Sequence, residues 1–309
     1  MYIWGDREMA FPKLPTKLLL ERLELPEGKI NMVLDTDTYN EIDDQFALVY
    51  ALKSSERLNV EAVYAAPFHN NRSESPGDGM EKSYEEILRV LDKMGIKPAQ
   101  GFVLKGSTRY LGSWETPCDN EAVRDLINRA MSAAEPLYVV AIGAITNIAS
   151  AILIEPRIIE KIVVVWLGGN ALYWPHTREF NLMQDVAASR LIFDCGVPLV
   201  HIPCTNVVTH LATTVAELER HIDGVSPIGS YLTQIVRDYN KDHYAWSKVI
   251  WDVSTIAYLI NPEWVPTYIV HSPVLTDQLT WSVDQSRHFI KSAYHVNRDA
   301  IFKDLFRKI

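Results

Sequence analysis

An α/β fold, a single domain with a mainly parallel sheet flanked by helices, is predicted by three features of the sequence. Short apolar runs suited to strands alternate with helix-periodic segments along most of the chain. Several of these runs pass directly into polar turns rich in Asp, Asn or Gly, which a parallel sheet would gather at its carboxyl edge. No linker, internal repeat or low-complexity tract divides the chain.

The elements follow in order. Leu14 to Leu25 reads as a short amphipathic helix with Pro15 near its start and Pro26 just beyond it, packing on the domain or on a second subunit. Met32, Val33 and Leu34 suit a buried strand. After an acidic loop, Phe46, Ala47, Val49, Tyr50 and Leu52 define a helical face that Asp43 and Asp44 introduce. Val60 to Ala66 is the second strand and runs into the turn Pro67-Phe68-His69-Asn70-Asn71. Glu81 to Met94 has helical periodicity and stops at Gly95; a short strand and a long loop from Gly106 to Asn120 follow. Ala122 to Ala133 is a helix, Pro136 to Ile142 a strand, and Ile148 to Ile154 a helix reached through Gly143-Ala144-Ile145-Thr146-Asn147. The β-branched run Ile162 to Trp166 breaks at Leu167-Gly168-Gly169-Asn170 into a loop carrying Glu179 and Asn181. Asp185 to Cys195 is helical, Pro198 to Ile202 a strand, and Val215 to Ile222 and Ile228 to Tyr239 are helical. An apolar segment, Ile256 to Ile260, follows Trp251-Asp252. Strand-like runs at Thr267 to Val270 and His288 to Tyr294 and a helix near Asp299 to Arg307 complete the chain.

At 309 residues and 48% hydrophobic, the chain is long enough to bury a full core. A net charge of −9 sets it against nucleic acid and anionic membranes, whose phosphates call for a basic surface. Cys118, Cys195 and Cys204 are widely spaced with no C-x-x-C, which indicates neither a disulfide framework nor a zinc site and fits a reduced cytoplasmic compartment. The first residues lack a continuous apolar stretch, and no later run approaches a membrane span, so a soluble, non-exported protein is expected.

The chemistry concentrates in M-V-L-D-T-D-T-Y-N-E-I-D-D-Q-F-A-L, residues 32 to 48. Strand, loop and helix bring Asp35, Asp37, Asp43 and Asp44 to one strand end. Carboxylates that close raise one another's pKa, and keeping several ionised needs a cation among them. All-oxygen donors suit Ca²⁺ or Mg²⁺. The bland alternative makes Asp43 and Asp44 a helix cap and leaves Asp35 and Asp37 solvated, but four acids exceed what a cap needs. Asn70, after the second strand, either reaches a ligand at the same edge or bonds its own turn.

Five separated pieces, D-T-D with D-D, Asn70, V-V-A-I-G-A-I-T-N-I-A at 139 to 149, L-G-G with E-F-N at 167 to 181, and W-D at 251 to 252, together resemble the inosine-uridine-preferring nucleoside hydrolase family. The resemblance covers about residues 30 to 309 and leaves residues 1–29 as an N-terminal extension. It implies metal-dependent hydrolysis of the N-glycosidic bond of a small ribonucleoside, with a tightly held Ca²⁺ and a homodimer or homotetramer. By the same resemblance, Asp37 is a metal ligand and the base that deprotonates the attacking water. Asp44, the Ile142 carbonyl and Asp252 complete the metal set, and Asp43, Asn70, Glu179 and Asn181 hold the ribose hydroxyls. Those residue types suit the reaction, because departure of the base builds positive charge on the sugar that carboxylates stabilise.

Three positions depart from the family pattern. T-Y-N-E-I replaces P-G-x in the acidic loop, two residues longer and without its glycine; the loop after Gly169 is shorter, leaving Asn170 and His176 as candidates on the ribose 5′ side. Trp251 stands where a histidine often precedes the last aspartate. An indole N–H is no acid near neutral pH, and tryptophan at that place resembles the purine-preferring branch, in which it stacks on the base. Against stacking stands burial of Trp251 in the core; Trp114, Trp174 and Trp246 are possible second faces, and His243, near Tyr239, is the plausible acid in that region. Two rival readings remain from the residues alone. V-L-D-T-D-T resembles the nucleophile motif of haloacid-dehalogenase-type phosphatases, which leaves D-D, E-F-N and W-D unexplained. A non-catalytic nucleoside-binding protein of the same fold would suit the altered loop and the missing histidine.

Overall fold

Residues 11–309 are described by the computed structural model. In chain order the strands are β1 (Ile30–Thr36), β2 (Leu58–Ala65), β3 (Val103–Lys105), β4 (Leu137–Ala141), β5 (Ile162–Leu167), β6 (Leu199–Ile202), β7 (Ala212–Thr213), β8 (Lys248–Val249), β9 (Thr267–His271), β10 (Val274–Leu275), β11 (Trp281–Ser282) and β12 (Phe289–Ala293). The helices are α1 (Thr16–Leu23), α2 (Asp44–Lys53), α3 (Pro76–Lys93), α4 (Glu121–Ser132), α5 (Thr146–Ile154), α6 (Phe180–Gln184), α7 (Val186–Asp194), α8 (Val215–His221), α9 (Pro227–Tyr239), α10 (Val253–Ile260) and α11 (Arg298–Lys308).

Eight strands form one sheet in the order β3-β2-β1-β4-β5-β6-β12-β9. All its pairings are parallel except that of the edge strand β9 with β12. Successive strand residues face opposite sides. Met32 and Leu34 of β1 therefore enter one apolar layer with Phe46, Val49, Tyr258 and Phe302, while Val33 enters the other with Val139, Ile148, Val164 and Leu191. Both faces are helix-covered, which is why the strands read as continuous apolar runs. The result is a single α/β domain, as the sequence predicts.

The topology also places the site. From β1 the chain builds outward through β2 and β3 on one side; from β4 it builds through β5 and β6 on the other. Loops leaving the carboxyl ends of β1 and β4 consequently diverge and open a crevice, the place where open α/β sheets bind ligands.

Local differences from the sequence expectation have identifiable causes. Helix α3 starts at Pro76, not Glu81, because the Ser75 side chain accepts from the Asp78 amide at 3.1 Å and Pro76 occupies the first turn. The glycine that disguises this start is required: a Cβ on Gly79 would meet the Phe68 carbonyl at 2.0 Å. E-F-N is not loop throughout, since Glu179 caps the short α6. Helix α2 is buried on every side from Asp44 to Ala51, not on one face. Helix α1 lies against β12 with Leu19 and Leu23 buried, so it packs on the domain. The first ten residues of the expected extension lie outside the described residues. No helix among those described is long and apolar enough to cross a membrane.

Candidate active site and metal centre

Strand β1 ends at Thr36, and Asp35 and Asp37 around that end are fully buried. Asp43 and Asp44, at the start of α2, and Asp252, immediately before α10, are at most 4% exposed. One carboxylate oxygen from each of Asp43, Asp44 and Asp252 lies within 4.8 Å of the others. Among the described residues, neither Asp37 oxygen has a hydrogen-bond partner, nor does Oδ1 of Asp35. Asp35 Oδ2 accepts from Asn147 Nδ2 at 2.7 Å, while Thr36 Oγ1 donates to Asp44. Opposite β1, the chain leaving β4 passes so close that a Cβ on Gly143 would lie 2.9 Å from the Asp37 carboxyl carbon. Only glycine leaves Asp37 its place.

Burial and mutual repulsion shape the charge of this cluster. Burial pushes the Asp35 carboxyl up to about 7. Burial, with the Asp43 charge added, takes Asp44 to about 7 as well. Asp37 is raised well above the usual carboxylate range by burial and then by Asp44 and Asp43; Asp252 is raised in the same way by burial, then Asp43 and Asp44. Buried carboxylates with orphaned oxygens are a costly arrangement for a structural role. The donor set is all oxygen and convergent, which fits a hard cation that would restore every carboxylate to its ionised form.

A cavity of about 220 Å³ opens over the cluster, lined by Asp43, Asp44, Ile142, Glu179, Asn181, Trp251 and Asp252 among the expected residues. Asn181 Nδ2 donates to the Ile142 carbonyl at 3.1 Å and to the Leu167 carbonyl at 3.0 Å. Glu179 accepts from the amides of Gly169, Asn181 and Leu182, yet burial still raises its pKa. Trp251 is half-buried, and its amide donates to Asp43 Oδ2 at 3.0 Å. Trp251 thus lines the cavity one residue before Asp252, and its side chain also packs against the apolar layer that contains Met32 and Leu34.

Three expected residues are placed elsewhere. Asp37 lies in the cluster but does not line the cavity. Asn70 bonds Asn40 Oδ1 at 2.7 Å and accepts from the Arg72 amide, so its amide secures the acidic loop from behind. His243 also lies off the cavity, with Nε2 3.0 Å from the Arg237 carbonyl and its ring against Trp246. Asn170 is likewise occupied, donating to the His176 carbonyl and accepting from the Thr205 amide. Trp114 donates to the Ala187 carbonyl and Trp246 stacks on Tyr239; among the described residues Trp251 is the one tryptophan lining this cavity. Sequence reasoning missed Asn40, Glu41, Leu167, Phe180, Cys204 and Thr205 in the lining. The extra length of the acidic loop was the available signal for the first two.

Fold and site together define an α/β enzyme with a carboxylate cluster able to bind a metal ion at the switch point of its sheet. The profile of the family described as inosine-uridine preferring nucleoside hydrolase matches residues 32–303, and the chain belongs to that family. It is an N-glycosyl hydrolase acting on ribonucleosides. Among its relatives, the pyrimidine-specific ribonucleoside hydrolase RihA of Salmonella paratyphi B is 28% identical over 262 residues, spanning 75% of this chain and 80% of RihA. The fold is shared with a purine-preferring ribonucleoside hydrolase from Gardnerella vaginalis (TM-score 0.75, 21% identity, 90% of this chain and 97% of the other). It is shared too with the plant nucleoside hydrolase PpNRh1 (TM-score 0.73, 21% identity, 92% and 99%).

Proposed function

We propose that residues 30–309 form a Ca²⁺-dependent ribonucleoside hydrolase domain that prefers purine nucleosides, with residues 1–29 as an extension. The observation that carries this reading is the group of buried, uncompensated carboxylates beneath a cavity walled by Trp251. Asp37, Asp44, the Ile142 carbonyl and Asp252 would hold the ion. When bound, Ca²⁺ supplies the charge that keeps these carboxylates ionised and acidifies a water beside the anomeric carbon.

The remaining work falls to the chain. Asp37 accepts the proton of the attacking water, a task suited to a carboxylate whose oxygens have no other partner among the described residues. Asp43, Glu179 and Asn181 position the ribose hydroxyls, while Asn70 holds Asn40 of the acidic loop that carries Asp43. The same carboxylates stabilise the positive charge that grows on the sugar as the base departs. Trp251 stacks on the base, and a stacked purine with a basic N7 leaves after protonation from solvent. His243 would serve as the proton donor only if Nε2 left the Arg237 carbonyl. The relatives divide between purine and pyrimidine preference, so support for the purine rests on Trp251 in the cavity lining.

Release of free base and ribose from inosine, adenosine, guanosine, uridine and cytidine, with Ca²⁺ and with chelator, tests the proposal. Nucleoside binding without turnover, a reading favoured by Trp251 in place of an acid, would refute the catalytic assignment. Turnover unchanged by chelator would refute the metal.

A further inference from the structure

The two residues added to the acidic loop bring Glu41 into the cavity wall, and nothing in the reaction described above uses it. The carboxylates of the floor are at most 4% exposed, whereas Glu41 and Trp251, which line the same cavity, are half-buried, so the base rather than the ribose would meet them. Glu41 is held in place from three sides. The Lys248 ammonium pairs with Oε2, Tyr239 donates to Oε1 at 3.4 Å, and Arg72 donates to the Glu41 main-chain carbonyl at 2.7 Å. Lys248 is itself 7% exposed and lies 5.2 Å from the centre of the Tyr239 ring, so the ion pair is braced from beneath. An ionised carboxylate has about four acceptor sites. Two contacts leave capacity for a donor entering the cavity.

We infer that Glu41 accepts a hydrogen bond from the exocyclic amino group of the leaving base, so that adenosine is preferred to inosine and cytidine to uridine. The inference rests on the nucleoside hydrolase reading and deepens it. Each of these pairs differs by one exocyclic group: the amino member donates to the carboxylate, and the oxo member presents a second acceptor that the carboxylate repels. The acceptor is fixed before the base arrives, so little ordering opposes the contact. Because the Glu41 side chain is 36% exposed, discrimination falls near the low end for a charged hydrogen bond, about tenfold.

The test is kcat/KM for the four nucleosides with Ca²⁺, in wild type, Glu41→Gln and Glu41→Ala. Wild type should favour the amino member of each pair by about tenfold. Glu41→Gln, whose amide also offers a donor to the oxo group, should bring both ratios close to one, and Glu41→Ala should do the same by removing the acceptor. Wild-type ratios near one, or ratios that neither substitution moves, would overturn the role of Glu41. Absence of turnover on all four nucleosides would instead overturn the hydrolase reading. The equilibrium binding ratio of adenosine to inosine, measured on the same three proteins, then decides the Glu41 contact by itself.

Discussion

Replacing Asp44 with Asn should stabilise the metal-free protein while abolishing its response to Ca²⁺. Burial and the Asp43 charge raise the Asp44 carboxyl from 3.8 to about 7. A shift of about 3 units corresponds to about 4 kcal/mol. The sign follows from proton binding: the folded protein holds this proton more tightly than the unfolded chain. The stability so gained is fully present below about pH 4 and is lost as pH rises through about 7. Wild type in chelator therefore loses about 4 kcal/mol through this group by pH 8, and the amide loses none. A chain of 309 residues has an unfolding entropy of about 0.65 kcal/mol/K, so the variant should melt about 6 °C higher at pH 8 and about 2 °C higher at pH 5. The amide keeps an oxygen for the Thr36 hydroxyl, which preserves the local hydrogen bond. Thermal unfolding of both proteins at the two pH values, in chelator and in millimolar Ca²⁺, is the assay. Ca²⁺ should raise the melting temperature of wild type at pH 8 and leave the variant unmoved. A variant no more stable than wild type in chelator at pH 8, or a gap that does not widen with pH, would refute the reasoning.

Asp37→Asn should keep the fold, melt higher than wild type in chelator at pH 8 for the same reason as Asp44→Asn, and lose about 10² to 10⁴ in kcat, because the amide cannot take the proton from water; near-wild-type turnover removes Asp37 from that role. Gly143→Ala should lower kcat and cost about 1–3 kcal/mol, since the new methyl would press on the Asp37 carboxyl at 2.9 Å; full activity would show that the close approach of β4 to Asp37 is dispensable. Trp251→Ala should erode the inosine-to-uridine ratio of kcat/KM while His243→Ala leaves it unchanged, as expected if the indole stacks on the base and the imidazole stays on the Arg237 carbonyl. The reverse pattern assigns the base to His243.

The sheet was legible in the sequence because burial on both faces demands continuous apolar strands, and Met32 to Leu34 and Ile162 to Trp166 have that form. The acidic cluster was legible because its members lie at element ends, where an alternating α/β pattern must bring them to one edge. Shorter features were hidden. Helix α6 is five residues long, too brief for a 3.6-residue period to register, and the β7–β8 and β10–β11 ribbons are two residues per strand. Gly77 and Gly79 disguised the start of α3 because they serve close packing there, not a turn. The Glu41–Lys248 pair joins residues 207 positions apart, and no local pattern connects them.

The acidic loop shows why added length need not disperse the carboxylates. Asp37 is set by β1 and by Gly143 facing it from the end of β4, whereas Asp43 and Asp44 are set by α2, which is packed between the sheet and α10. The two anchors are independent of the chain that joins them, so the additional residues between Thr38 and Ile42 enter the cavity lining and make new bonds of their own. Asn70 and Arg72 secure Asn40 and Glu41 from the β2 side, and Arg72 also lies over the Tyr39 ring at 4.7 Å. Lys248 secures the Glu41 carboxylate from the other side. The floor that would hold the metal and ribose is therefore fixed by the sheet, while the wall that would meet the base is free to vary with loop sequence. On this division, substitutions at Glu41 and Trp251 should redistribute kcat/KM among bases without changing Ca²⁺ affinity, and substitutions at Asp44 or Asp252 should do the opposite.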